Sequence, residues 1–240
     1  MDVRFLLAGD TALVVEFGDR VDRALSDGVL RLSARVRASA IPGVVETVPT
    51  YRSLLVHYDP RVTDSTRLET AIKELLQENA DHPPAARVWR IPACYVANYA
   101  PDLEDVAQHA GLSVDEIVRI HSTTRFHVYM VGFVPGFPYM GDLPASLVLP
   151  RRIDPRVRVP AGSIATAVGQ TAIYPVESPG GWHLIGATPI RVFDPAAASP
   201  ALFSPGDQVR FDPIDVSEFD AIAAAVEQGS YRVQFETASA

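Results

Sequence analysis

From Phe126 onward the chain is broken into short pieces, and after residue 130 it carries thirteen of its twenty prolines and ten of its fifteen glycines. Proline lacks an N–H and fixes φ, while glycine weakens any regular run, so no long helix crosses this region. The pieces between them are β-rich: FHVYMVGF, RVRVP, TAIYP, HLIGA, PIRVFD and DQVRF. Many short strands with frequent Gly/Pro turns predict a barrel or a sandwich. A helix over Asp220 to Gln228 and a last strand in YRVQF are expected to follow.

The first 80 or so residues have a different texture. FLLAGD and TALVVEFG read as two strands around Gly9-Asp10, and VVETVPTY and SLLVHYD as two more. Between the pairs, Val21, Leu25, Val29, Leu32 and Val36 mark one helix face. Leu68, Ala71, Ile72, Leu75 and Leu76 mark another, with Thr66 and Glu69 as its expected capping box. The order ββαββα predicts a small α+β domain over residues 1–82. ENADHPPAARV, with Pro83-Pro84, reads as a linker to a mainly-β domain over 87–240. That second domain opens with a strand in VWRIPACYV. Two short helices follow, DLEDVAQHAG capped by Gly111 and SVDEIVRIHS with a Ser113–Glu116 capping box.

Several function classes are excluded early. A net charge of −8 argues against nucleic acid and anionic membranes as partners. One cysteine, Cys94, makes no internal disulfide, and MDVRFLLAGD does not resemble a signal peptide; a cytoplasmic protein is expected. Of the 21 basic residues only Lys73 is a lysine, so a GxxxxGK[ST] phosphate loop is absent. No GxSxG elbow occurs, and His121, Arg125 and His127 lie in no metal-binding pattern; no metal site is expected.

Three stretches carry the candidate chemistry. GFVPGFPYMG, residues 132–141, sets Phe133, Phe137 and Tyr139 among residues that favour turns, leaving no place for a central strand. Its aromatics either form a stiff recognition surface or plug the barrel end. PRRIDPRVRVPAGS, residues 150–163, holds Arg151, Arg152, Arg156 and Arg158; in an extended segment the last three share a face. They suit an anionic ligand or a salt-bridged surface. VGQTAIYPVESPGGWHLIG offers Gln170, Thr171, Tyr174, Ser178 and His183 as polar groups and Trp182 as an apolar wall. Its Ser178-Pro179-Gly180-Gly181 reads as a turn whose N–H groups either nest an anion or serve only the hairpin.

In this order, HSTTRFHVYMVGFVPGFPYMGDLP, LPRRIDPRVRVPAGS, QTAIYPVESPGGWHLIGATP and SPGDQVRF resemble the family of 5-oxoprolinase B subunits and the Kip kinase inhibitor. That family is also labelled allophanate hydrolase subunit 1. LAGDTALVVEFGD and IPACYVANYAPDLEDVA fit too, so the resemblance spans nearly the whole chain. It implies a cyclophilin-like barrel after the α+β domain. It implies a larger partner of the allophanate-hydrolase-subunit-2 type, together resembling the carboxyltransferase-like half of urea carboxylase. With a LamB/YcsF-type third subunit, such a pair is an ATP-dependent 5-oxoprolinase that opens the lactam to L-glutamate. ATP then belongs to the complex, and turnover by this chain alone is not expected. The alternatives are inhibition of a sensor histidine kinase, or a place in a urea carboxylase/allophanate hydrolase-type complex. The residues expected to hold a small anionic substrate are Arg152, Arg158, Gly162, Ser163, Gln170, Thr171, Tyr174, Ser178, Gly180 and Gly181. Those expected to meet the partner are Phe133, Phe137, Tyr139 and Trp182; no nucleophile or general base is assigned. The chain departs from the family pattern at Thr166, Val168 and Ala172, the last two in place of glycines, and at Ala187 in place of an arginine.

Overall fold

A computed structural model describes residues 3–77, 86–96 and 98–237. It divides into two compact units, Met1–Ala86 and Arg87–Ala240. Pro83-Pro84 lies outside the described residues.

The first unit runs β1 (Arg4–Leu7), β2 (Ala12–Glu16), α1 (Arg23–Ala38), β3 (Val44–Pro49), β4 (Ser53–Tyr58) and α2 (Ser65–Gln77). Its four strands form one antiparallel sheet in the order β1-β2-β4-β3. Alternation along β2 and β4 turns Leu13, Val15, Leu54 and Val56 to one face. There they pack with Val29, Leu32 and Val36 of α1 and Leu68 and Ile72 of α2. Val21 precedes the helix and is 56% exposed, because Asp22 is the N-cap and accepts from the N–H groups of Ala24 and Leu25. The expected Thr66–Glu69 box does not cap α2. Asp64 does so instead, its Oδ1 accepting from Arg67 N at 2.9 Å. Lys73 lies on α2 and pairs with Glu69 at 2.6 Å.

The second unit runs β5 (Arg87–Cys94), α3 (Leu103–Ala110), α4 (Val114–Thr123), β6 (Phe126–Val131), β7 (Pro138–Gly141), β8 (Arg156–Val159), β9 (Ser163–Ala167), β10 (Gln170–Ile173), β11 (Ser178–Gly180), β12 (His183–Ala187), β13 (Gln208–Ile214), α5 (Val216–Glu227) and β14 (Gln234–Thr237). Seven strands close into a barrel in the order β12-β9-β10-β7-β6-β13-β5, with β5 pairing back to β12 and β14 added beside β5. PIRVFD is not one of the strands and makes only the isolated bridge Phe193↔Ala201. Gly111 ends α3 at φ 67, and the Ser113–Glu116 box starts α4.

Contrary to the expectation from its glycines and prolines, GFVPGFPYMG does contain a strand, and a central one. β7 lies between β6 and β10. Pro138 is its first residue, where a missing N–H is tolerated. The period of two splits the barrel side chains into two cores. Met140, Ile164, Ile173 and Ile185 join Phe126, Val128, Phe211 and residues of α3 and α4. Ala165, Ala167, Ala172 and Leu184, on the other face of the same strands, join Phe137, Tyr174, Trp182 and Val159. β8 and β11 form a separate two-stranded ribbon.

The turn between β9 and β10 consists of Val168 and Gly169, since Ala167 and Gln170 already pair. Both turn residues have positive φ, 46 and 78. That is the geometry of a type I′ hairpin, which favours Asn-Gly. A β-branched residue in the left-handed region costs about 1–2 kcal/mol, and Val168 is 52% exposed, so little packing offsets it. Val168→Asn is expected to raise the melting temperature by about 2–4 °C, the equivalent of roughly 1 kcal/mol in a chain of this size. An unchanged or lower melting temperature would refute the strain.

Candidate functional site

The second core is a layer of rings on a floor of small side chains. Ala165, Ala167 and Ala172 leave room that larger residues would fill. Phe137 occupies the middle, with ring centroids 4.9 Å from Tyr139, 5.2 Å from Tyr174 and 6.1 Å from Trp182. Phe137 is 2% exposed and Trp182 5%, so neither presents the partner surface expected of it from sequence. Phe133, by contrast, is 63% exposed, with its ring edge-on to Phe137 at 5.5 Å. Its φ of 72 places a phenylalanine in the left-handed region. The loop below it is held by Gly132 N–H donating to Phe137 O and Phe137 N–H donating to Val134 O.

Ser178-Pro179-Gly180-Gly181 is not a turn. Its first three residues are β11, paired with β8 through Ser178↔Val159 and Gly180↔Arg156 with a bulge between. Gly180 is required by a close approach, because a Cβ there would overlap the Tyr174 hydroxyl. Gly181 O accepts from Arg152 N at 2.8 Å. The ribbon's glycines thus serve packing and pairing. Ser178 lies opposite Val159, a member of the ring layer. Its hydroxyl is buried and has no hydrogen-bond partner among the described residues.

The arginines do not converge as their spacing implied. Arg152 and Arg156 both bind Asp102, with Nη–Oδ distances from 2.7 to 2.9 Å. Asp102 is 2% exposed and also accepts from Leu184 N at 2.7 Å. Burial works to raise its carboxyl, but the Arg156 hydrogen bonds, the Leu184 N–H and both guanidinium charges bring it below the usual range. Arg158 turns away and pairs bidentately with Glu177, both side chains largely exposed. Arg151 alone of the four has no ion pair among the described residues. Burial raises the Tyr174 phenol to about 12, and the Arg151 and Arg156 charges act against that shift. Burial likewise raises Tyr139, again opposed by Arg151. An arginine whose charge acts on two phenols can bind a carboxylate beside an apolar ring face.

Three other expected site residues serve the barrel itself. Gly162, at φ 83, accepts from Thr188 N and would bring a Cβ against Thr188 O. Ser163 is buried next to it, its carbonyl accepting from Tyr174 N. Thr171 faces the interior, where its Oγ1 donates to Ala165 O and meets His121 Nε2 at 3.1 Å. Gln170, half-buried at the start of β10, stays near the ring layer's strands. Sequence reasoning missed Asp102. An aspartate before a helix reads as an N-cap, and Asp102 makes no side-chain cap bond to α3. A groove in the first unit, lined by Val36, Ile41, Val44 and Val45 with Arg37 and Glu46, holds none of the singled-out motifs.

Comparison with known proteins bears on this arrangement. The family model described as carboxyltransferase domain, subdomain C and D, matches residues 3–203. The 5-oxoprolinase B subunit of Escherichia coli O157:H7 is 42% identical over 213 residues, 88% of this chain and 95% of the relative. The 5-oxoprolinase B subunit of Bacillus subtilis is 36% identical over 234 residues, 92% of this chain and 98% of the relative. The crystal structure of TTHA0988 superposes with a TM-score of 0.77 at 37% identity over 86% of this chain, which spans 40% of that longer one.

Proposed function

The chain belongs to the family of the carboxyltransferase domain, subdomain C and D, and from that membership we propose that it is a subunit of an ATP-dependent 5-oxoprolinase. The observation that carries this reading is the near full-length similarity to two bacterial 5-oxoprolinase B subunits. The closed seven-stranded order supports a cyclophilin-like assignment for the barrel. The single buried thiol of Cys94 suits a reducing, cytoplasmic setting, and no helix among the described residues is long and apolar enough to cross a membrane.

The companions are a larger allophanate-hydrolase-subunit-2-type chain and a LamB/YcsF-type third subunit. That this region is 40% of a longer chain in TTHA0988 supports a role as one part of a larger assembly. In such a complex ATP supplies the activation that a resonance-stabilised lactam needs. This chain contributes binding: its one lysine is engaged with Glu69 on α2, and it has no phosphate loop. The ring layer and the neighbouring Arg151 receive the acidic substrate, and Phe133 is the contact for the larger companion.

The test is ATP-dependent release of glutamate from 5-oxoproline by the chain alone and with both companions. The chain alone should be inactive and the full set active; an inactive full set would overturn the reading. Phe133→Ala, in the same preparations, should weaken capture of the larger companion by tenfold or more, roughly the hot-spot range, without moving the melting temperature. Unaltered capture would remove Phe133 from the interface.

A further inference from the structure

We propose that Arg151 and Ser178 together recognise the carboxylate of a small cyclic amide bound at the ring layer. The inference rests on the 5-oxoprolinase reading and assigns the group that selects an acidic lactam over a neutral one.

Arg151 is placed by its neighbours. Arg152 N–H donates to Gly181 O at 2.8 Å, and Pro150 O lies 3.0 Å from His183 Nε2. The residue between them therefore runs beside Trp182, whose ring lies 6.1 Å from that of Tyr139. Arg152 and Arg156 are occupied by Asp102, and Arg158 by Glu177. Arg151 is exposed and has no ion pair among the described residues, which leaves its guanidinium free to take a carboxylate in two parallel hydrogen bonds.

Ser178 is the independent observation. Only 9% of it is exposed, and its hydroxyl has no partner among the described residues. A buried hydroxyl without a partner is disfavoured, and such groups in native proteins call for a reason. Ser178 pairs with Val159, whose side chain joins the ring layer, and the Tyr174 hydroxyl fills the space beside Gly180 on the same strand. The Arg151 charge reaches both Tyr174 and Tyr139. Cation, phenol and serine hydroxyl thus border one apolar layer, an arrangement suited to a ligand with a charged end and a flat amide ring.

The experiment compares wild type, Arg151→Gln, Arg151→Lys and Ser178→Ala, each as the full chain with its companions, and for binding as the full chain alone. Arg151→Gln is expected to raise the KM for 5-oxoproline roughly 10- to 100-fold with an unchanged melting temperature, and Arg151→Lys to recover part of it. Ser178→Ala should raise KM severalfold while the melting temperature holds or rises, since a purely structural hydroxyl would show no such split. Binding is followed through the aromatic NMR signals as 5-oxoproline or its carboxylate-free analogue 2-pyrrolidinone is added. In wild type 5-oxoproline should bind more tightly than 2-pyrrolidinone, and Arg151→Gln should abolish that preference. If the wild-type complex proves inactive on 5-oxoproline but the Arg151-dependent preference is present, the functional reading falls and the recognition site stands. If the complex is active and Arg151→Gln keeps KM and preference within twofold, the site is overturned and the functional reading stands. Equal binding of both compounds by wild type also overturns the site.

Discussion

Asp102→Ala is expected to lower the melting temperature by about 6–12 °C, equivalent to roughly 3 kcal/mol in a chain of this size. Asp102 is the point where the segment carrying Arg152 and Arg156 is fastened to the barrel. Its carboxylate accepts from both guanidinium groups and from Leu184 N–H on β12, while its own N–H donates to Leu184 O at 3.0 Å. Removing one partner of a buried charged set costs about 3–5 kcal/mol, because the remaining charges lose their compensation. The lower end applies here, since the Arg152 and Arg156 side chains are 27% and 25% exposed and water can reach them. Leu184 N–H, which is buried, also loses its acceptor. Arg158→Ala should move the melting temperature far less, because its pair with Glu177 is exposed on both sides. Thermal melts of these two variants check the contrast. A loss below about 2 °C for Asp102→Ala would mean that the fastening is not what holds this segment.

The difference between these arginines marks what the sequence cannot express. Local chemistry was readable: Gly111 ends α3 and Ser113 with Glu116 starts α4, since each motif completes itself within a few residues. The buried face of α1 at Val29, Leu32 and Val36 was readable from period alone. Neighbouring choices were harder, as at α2, where Asp64 caps and Thr66 does not. Partner choice over long distances was not readable. Arg152 and Arg156 are set by an aspartate 50 and 54 residues earlier, and Arg158 by a glutamate 19 residues later. Only when those partners are known does Arg151 stand out. Phe137 illustrates the same limit. Its setting among glycines and prolines left presentation to solvent and burial in the barrel both open, and Ala165, Ala167 and Ala172 decide it by opening a place for the ring on the barrel wall. Gly180 looked like a turn residue and is a packing residue, because the ring that excludes a side chain there comes from Tyr174.

Acid is expected to weaken the second unit well before its carboxylates protonate, through His121. This imidazole is fully buried, its ring stacked on Phe211 at 4.7 Å and tilted against Phe126 at 4.9 Å. Thr171 Oγ1 donates to Ala165 O at 3.1 Å, so its lone pair is left to accept from His121 Nε2–H at 3.1 Å. His121 Nδ1 then accepts from the Tyr95 hydroxyl at 2.8 Å, and the ring is neutral. Burial lowers its pKa from 6.5 to about 3, and burial also raises the Tyr95 phenol, so neither group charges at neutral pH. The unfolded chain takes up the proton near pH 6.5, while the folded one does so only near pH 3. Between those values the unfolded state binds more protons, so stability is complete above about 6.5 and falls as the pH drops. Each pH unit within that window removes about 1.4 kcal/mol, or close to 3 kcal/mol at pH 4.5. Asp102 adds its own loss at lower pH, because its depressed carboxyl stabilises the fold above the unfolded value of 3.8 and is lost below it. His121→Gln removes the titrating group, so the variant should be less stable at pH 7 yet flatter between pH 6.5 and 4.5. Denaturant melts of both proteins at half-unit pH steps separate the two effects, and parallel pH profiles would show that His121 is not the group that makes the fold acid-sensitive.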